Sequence, residues 1–130
     1  MIKIFCVTNK IVPTLDKTNL ILAGVGQTKF PDNYLKCDGE NNIFHKEKFY
    51  SELTFHYWYW KNMLANENSD WVGFCQKRRF WINNDVGNKS IDEKNFTNFL
   101  LDRPPQSWEG SNSVIWKLFS STIILISNFL

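Results

Sequence analysis

Two arginines, Arg78 and Arg79, follow the compact apolar run Trp71-Val72-Gly73-Phe74-Cys75. Guanidinium forks at the end of a buried strand can bind a diphosphate bidentately and neutralise a departing nucleotide. A solvated basic turn is the plainer reading of such a run. Glu52 has the chemistry to hydrogen-bond a sugar hydroxyl or to take its proton, its plainer alternative being a surface contact with His56 four residues on. Trp58 and Trp60 offer flat faces that stack on sugars and nucleobases, although the helical spacing places Trp60 in a core.

Other signals are weaker. Two hard carboxylates in an Asp-x-Asp pattern suit Mg²⁺ or Mn²⁺ bridging a diphosphate, and that pattern does not occur. Asp38-Gly39-Glu40 comes nearest, in a polar loop, so no metal ligand is assigned. Mg²⁺ or Mn²⁺ at that triplet stands as the alternative to cations doing the metal's work. His45 and His56 have no third ligand at zinc spacing. Gly24-Val25-Gly26 is a fragment of a dinucleotide fingerprint with Lys29 in place of the last glycine, and reads as a turn.

These residues need a scaffold, and the apolar patterning supplies one. Residues 2–7 form a β-branched run closed by Thr8-Asn9, and Leu20–Gly26 a second run ending in two glycines; both read as strands. Residues 28–46 read as an irregular loop. From Glu47 to Ala65 the spacing predicts one long helix, with Phe49, Leu53, Trp60 and Leu64 as its core stripe and Tyr57 beside it. Trp71–Cys75 reads as a central strand buried on both faces. A short helix is expected over 91–101, ended by Pro104-Pro105. This order favours an α/β fold with a mainly parallel sheet, whose ligand crevice opens beyond the strands' carboxyl ends. Thr8-Asn9-Lys10 and Gln76–Arg79 both fall there.

The chain has 130 residues, the size of one domain. Its net charge of +2 is too small for a nucleic-acid partner recognised by long-range attraction. Cys6, Cys37 and Cys75 are odd in number and widely spaced, which reads as reduced cytosolic thiols. The first residues turn polar too early for a signal peptide. Residues 114–130 carry Lys117 as their sole charge but fall short of a membrane span.

Glu52-Leu53-Thr54, Tyr57-Trp58-x-Trp60-Lys61-Asn62, Gly73 and Arg78-Arg79 together resemble a family of bacterial capsular and lipopolysaccharide glycosyltransferases, long known only as a domain of unknown function. Val7-Thr8-Asn9-Lys10 is similar to that family's Thr-His-Lys, and Asn41-Asn42-Ile43 to its Asp-Asn-Ile. Asn9 stands where the family has His, Asn41 where it has Asp, and Gln76-Lys77 where it has His-Tyr. The resemblance runs from Lys3 to Gly110. It implies a GT-A-like fold for nucleotide-diphospho-sugars, incomplete here, with residues 1–110 as the donor-binding part and 111–130 as an apolar tail from a truncated or shifted frame. It further implies Glu52 as the catalytic candidate and Thr8, Asn9, Lys10, Asn41, Asn42, Tyr57, Trp58, Arg78 and Arg79 as substrate-binding residues. The implied partners are a nucleotide-sugar donor and a saccharide or lipid-linked saccharide acceptor, in the cytoplasm or peripherally at the inner membrane face. The rival expectation is a non-catalytic sugar- or partner-binding remnant.

Overall fold

The structure is a computed structural model that describes residues 1–83 and 90–115, together with the backbone of 123–125. Among the described residues six strands form one sheet: β1 (Ile2–Thr8), β2 (Ile21–Gly24), β3 (Leu35–Lys36), β4 (Trp71–Gln76), β5 (Arg79–Trp81) and β6 (Ile123–Leu125). Their spatial order is β3-β2-β1-β4-β5-β6. The first four are parallel, and β5 turns back antiparallel to β4 through Lys77-Arg78, with β6 antiparallel to β5 on the far edge. The expected α/β class with a mainly parallel sheet is what the chain adopts.

β1 is the central strand and is buried from Ile4 to Thr8. Alternation sends Ile4 and Cys6 to one face, where they meet Leu15, Leu22, Phe80 and Phe96. Phe5 and Val7 point to the other face, against Ala23, Val25, Phe55 and Tyr59. A strand covered on both sides reads as a continuous apolar run, which is why this strand is legible in the sequence; β4, expected to be buried on both faces, is half-buried except at Cys75.

The segment over 47–65 departs from expectation. It divides into α1 (Glu47–Tyr50), α2 (Leu53–Asn62) and a 3-10 turn (Leu64–Asn66). Ser51 breaks the helix at φ 48°, a conformation that L-residues rarely adopt. With the break, the register of Phe49 is not carried into α2, and the four residues expected in the core are all outside it. Phe49 is 79% exposed, Leu53 52%, Trp60 56% and Leu64 48%. The buried face is instead Thr54, Phe55 and Tyr59.

The physical reason lies in the sheet. Phe5 of β1 and Phe74 of β4 present an aromatic surface, and α2 rotates to put Phe55 and Tyr59 on it. Ring centroids lie 5.6 Å apart for Phe5 and Phe55, 4.9 Å for Phe5 and Tyr59, and 5.5 Å for Tyr59 and Phe74. Such tilted and edge-on pairs add roughly 0.5–1.5 kcal/mol each beyond area burial. Tyr59 also keeps a partner for its hydroxyl, which donates to Glu67 at 2.9 Å.

Two smaller corrections concern loops. Within 28–46 the chain adds the short strand β3 and a 3-10 turn at Phe44–Lys46. Over 91–101 it forms only the 3-10 turn Phe96–Phe99, anchored by buried Phe96 on Phe80. Of the apolar tail, Ile123–Leu125 pairs with β5, whereas 116–122 and 126–130 lie outside the described residues.

Candidate active site

The carboxyl ends of β1, β2 and β4 lie side by side, because Val7 is in register with Gln76 and Thr8 with Gly24. β2 can end there because Gly24 lies against the Phe30 ring, so closely that a Cβ would come within 2.4 Å of it. Gly26 then turns at φ 81° beside the Glu47 carboxylate. Backbone without side chains lets the chain leave the sheet sharply and keeps the space beyond β1 open.

A cavity of about 230 Å³ opens at these ends, lined by Val7, Thr8, Asn9, Val25, Ser51, Glu52, Gln76, Lys77 and Arg78. Residues from four separate stretches of sequence thus converge. The Thr8 hydroxyl ties the β1 exit into a tight turn, donating to the Lys10 carbonyl at 2.8 Å and accepting from the Lys10 N–H at 3.1 Å. Thr28 Oγ1 donates to the Asn9 carbonyl at 2.7 Å and holds that turn from the β2 side. Across the cavity Lys77 Nζ donates to Asn9 Oδ1 at 2.7 Å.

Three cations share this end of the sheet. Partial burial first, and then the charges of Lys10 and Arg78, pull the Lys77 ammonium below its ordinary pKa. Like charges held together are a cost that a bound anion relieves. Glu52 stands opposite, where its Oε1 accepts from Gln76 Nε2 at 2.5 Å. The same carboxylate lines a second cavity of about 290 Å³ with His56, Phe74, Cys75, Gln76, Arg79, Phe80 and Trp81. Glu52 is therefore the wall between two adjoining spaces. His56 lies on the Phe74 ring at 4.4 Å, and burial lowers its pKa against the opposing pull of Glu52, favouring the neutral imidazole.

Of the sequence candidates, Thr8, Asn9, Glu52 and Arg78 line the first cavity, Lys10 flanks it and Arg79 lines the second. The others line neither. Asn42 braces the 38–44 turn, donating to the Asp38 and Gly39 carbonyls and accepting from the Phe44 N–H, with Asn41 exposed beside it at φ 49°. Trp58 packs against Phe55 beside Gly39, and Tyr57 sets its ring edge-on to Trp60. Asp38 and Glu40 are exposed in that same turn, and among the described residues no three His, Cys, Asp or Glu side chains converge as metal ligands. Sequence reasoning placed Gln76 and Lys77 at the crevice edge by their position after the β4 run without assigning them a binding role, and passed over Ser51 and His56 as site residues.

The sequence model of a family described as a domain of unknown function, DUF4422, matches residues 3–106. Among solved structures the chain is similar to the apo structure of WbbM, a bifunctional glycosyltransferase. The TM-score is 0.55 and the identity 31%, over 71% of this chain and 16% of that one. None of the curated proteins matches the sequence. The likeness shows a glycosyltransferase-like fold. No helix among the described residues is long and apolar enough to cross a membrane.

Proposed function

The chain belongs to the DUF4422 family, and from that premise we propose that it is a glycosyltransferase domain that takes a sugar from a nucleotide-diphospho-sugar. The acceptor in this reading is a saccharide or lipid-linked saccharide of a bacterial surface polysaccharide, capsular or lipopolysaccharide, made on the cytoplasmic side. The fold is of the GT-A kind. The observation that carries the reading is the convergence of Lys10, Lys77 and Arg78 at the carboxyl ends of parallel strands, facing the Glu52 carboxylate. Open α/β sheets bind their ligands at that edge.

In this mechanism the donor diphosphate takes the place of water among the three cations. Their charge then stabilises the negative charge that builds on the diphosphate as the glycosidic bond breaks, more in the transition state than in the ground state. Arg78 can grip two phosphate oxygens at once, while the lysines act as point charges. Glu52, released from Gln76 by a small side-chain rotation, accepts a hydrogen bond from the acceptor or donor hydroxyl and orients it. Arg79 extends the positive field into the adjoining cavity.

Isothermal titration with UDP-, GDP- and CDP-sugars, followed by assay of donor hydrolysis and transfer, tests the proposal. Binding with turnover supports a transferase. Saturable binding without turnover assigns the chain to a non-catalytic sugar-binding role, and no binding to any donor overturns the reading.

A further inference from the structure

The second cavity contains a titratable group to which the mechanism above gives no task. Its walls are Glu52 and His56 at the start of α2, four positions apart and so on one side of the helix, and residues 74–76 and 79–81 of the β4–β5 hairpin. The His56 ring leans on Phe74, with 4.4 Å between ring centroids and 46° between planes. A half-buried imidazole ordinarily spends a nitrogen on a hydrogen bond. Neither nitrogen of His56 bonds to a described residue, and neither is sealed from solvent, so both are left to the cavity that the ring lines. Glu52 differs, since its Oε1 already has Gln76 Nε2 as a partner.

We infer that His56 accepts the proton of the attacking hydroxyl, which enters through this second cavity. The inference rests on the transferase reading and supplies that reaction with its base. Glu52 and Gln76 line both cavities, so a hydroxyl held at Glu52 has His56 on one side and the cationic crevice on the other. The proton passes from the hydroxyl to an unprotonated ring nitrogen as the oxygen bonds to the anomeric carbon of the donor. The bond from that carbon to the diphosphate breaks, and its electron pair leaves with the diphosphate towards Lys10, Lys77 and Arg78. Burial, which lowers the His56 pKa against the opposing pull of Glu52, keeps the ring neutral and able to accept at neutral pH. The imidazolium that forms is compensated by the Glu52 carboxylate and opposed by Arg79. The Cys75 thiol in the same wall stays neutral, its pKa raised by the bond with Cys6 and by burial.

Turnover by the full chain tests the inference, with UDP-, GDP- and CDP-sugars as donors and methyl glycosides as acceptors. In the unmodified chain kcat/KM for transfer is expected to be level near neutral pH and to fall about tenfold per pH unit below an inflection under 6.5, as His56 takes up a proton. His56→Gln is expected to lower kcat about 100-fold or more, to remove that inflection, and to leave donor affinity in calorimetric titration unchanged. His56→Ala is expected to recover activity with added imidazole, a response that a merely structural role does not give. Transfer by His56→Gln at the unmodified rate, or with the acid inflection retained, overturns the inference and leaves the transferase reading standing. An unmodified chain whose kcat/KM shows no acid inflection overturns it too, without recourse to a variant. An unmodified chain that turns over no donor removes the reaction itself, and the transferase reading then fails together with the inference.

Discussion

Phe55→Ala and Leu53→Ala separate the observed packing of α2 from the packing that its sequence periodicity suggests. Phe55 is fully buried, with its ring 5.6 Å from Phe5, 5.8 Å from Trp58 and 6.4 Å from Phe74. Truncating it removes the buried ring and leaves a cavity that β1 and β4 cannot close without moving, a loss of about 3–5 kcal/mol. Leu53 projects half its surface into water, so Leu53→Ala is expected to cost less than about 0.5 kcal/mol. Against a total stability of roughly 5–15 kcal/mol, the first change is a large fraction and the second is not. With a urea m-value of about 2 kcal/mol/M, Phe55→Ala lowers the midpoint by roughly 2 M. Leu53→Ala barely moves it. Urea titration followed by circular dichroism reads both. Equal shifts, or a larger loss for Leu53→Ala, would refute the assignment of the buried face.

Four further outcomes are expected. Lys77→Ala with Arg78→Ala lowers nucleotide-sugar affinity about 10- to 100-fold and flattens its salt dependence in calorimetric titration, because charge-assisted contacts to phosphate are lost. Glu52→Gln leaves the urea midpoint near that of the unmodified chain and reduces transfer, since the amide keeps a partner in Gln76 but no longer offers a carboxylate to a hydroxyl. Hydrogen bonds from Lys3 first, and then from Ser69, hold the Glu67 carboxyl down to about 2 from an ordinary 4.5. The stability this supplies is complete above pH 4.5 and lost as pH falls towards 2, so Glu67→Gln should flatten acid unfolding in that window. Finally, Cys6, Cys37 and Cys75 are all buried, and burial pushes the Cys37 thiol up to about 11, so a thiol reagent at neutral pH is expected to label none of them until denaturant is added.

Ser51 bears on both fold and site, since it lines the crevice while adopting a positive φ. Strain of this kind is worth about 1–3 kcal/mol where surrounding structure enforces it.

What the sequence determined by itself is what depends on short range. β1 is a continuous apolar run because both of its faces are covered, and a run of that kind can be read without knowing what covers it; β4 reads the same way, although of its residues only Cys75 is fully buried. Thr8-Asn9-Lys10 and Lys77-Arg78 follow those runs directly, so their place at the strands' carboxyl ends was implied once the sheet was taken as parallel. Gly24 and Gly26 likewise marked the end of β2. The tertiary structure decided what depends on competition between distant partners. The periodicity of α2 admits two apolar faces, and the choice of Phe55 and Tyr59 over Leu53 and Trp60 was made by Phe5 and Phe74, which are far from them in sequence. The break at Ser51 is not announced by the apolar spacing over 47–65, which runs through it. Lys77 and Gln76 became site residues only when Asn9 and Glu52, 68 and 24 positions away, were brought within hydrogen-bonding distance. Asn42 went to bracing a turn for the same reason: a side chain's role follows the partner that the fold delivers to it, and no spacing along the chain records that partner.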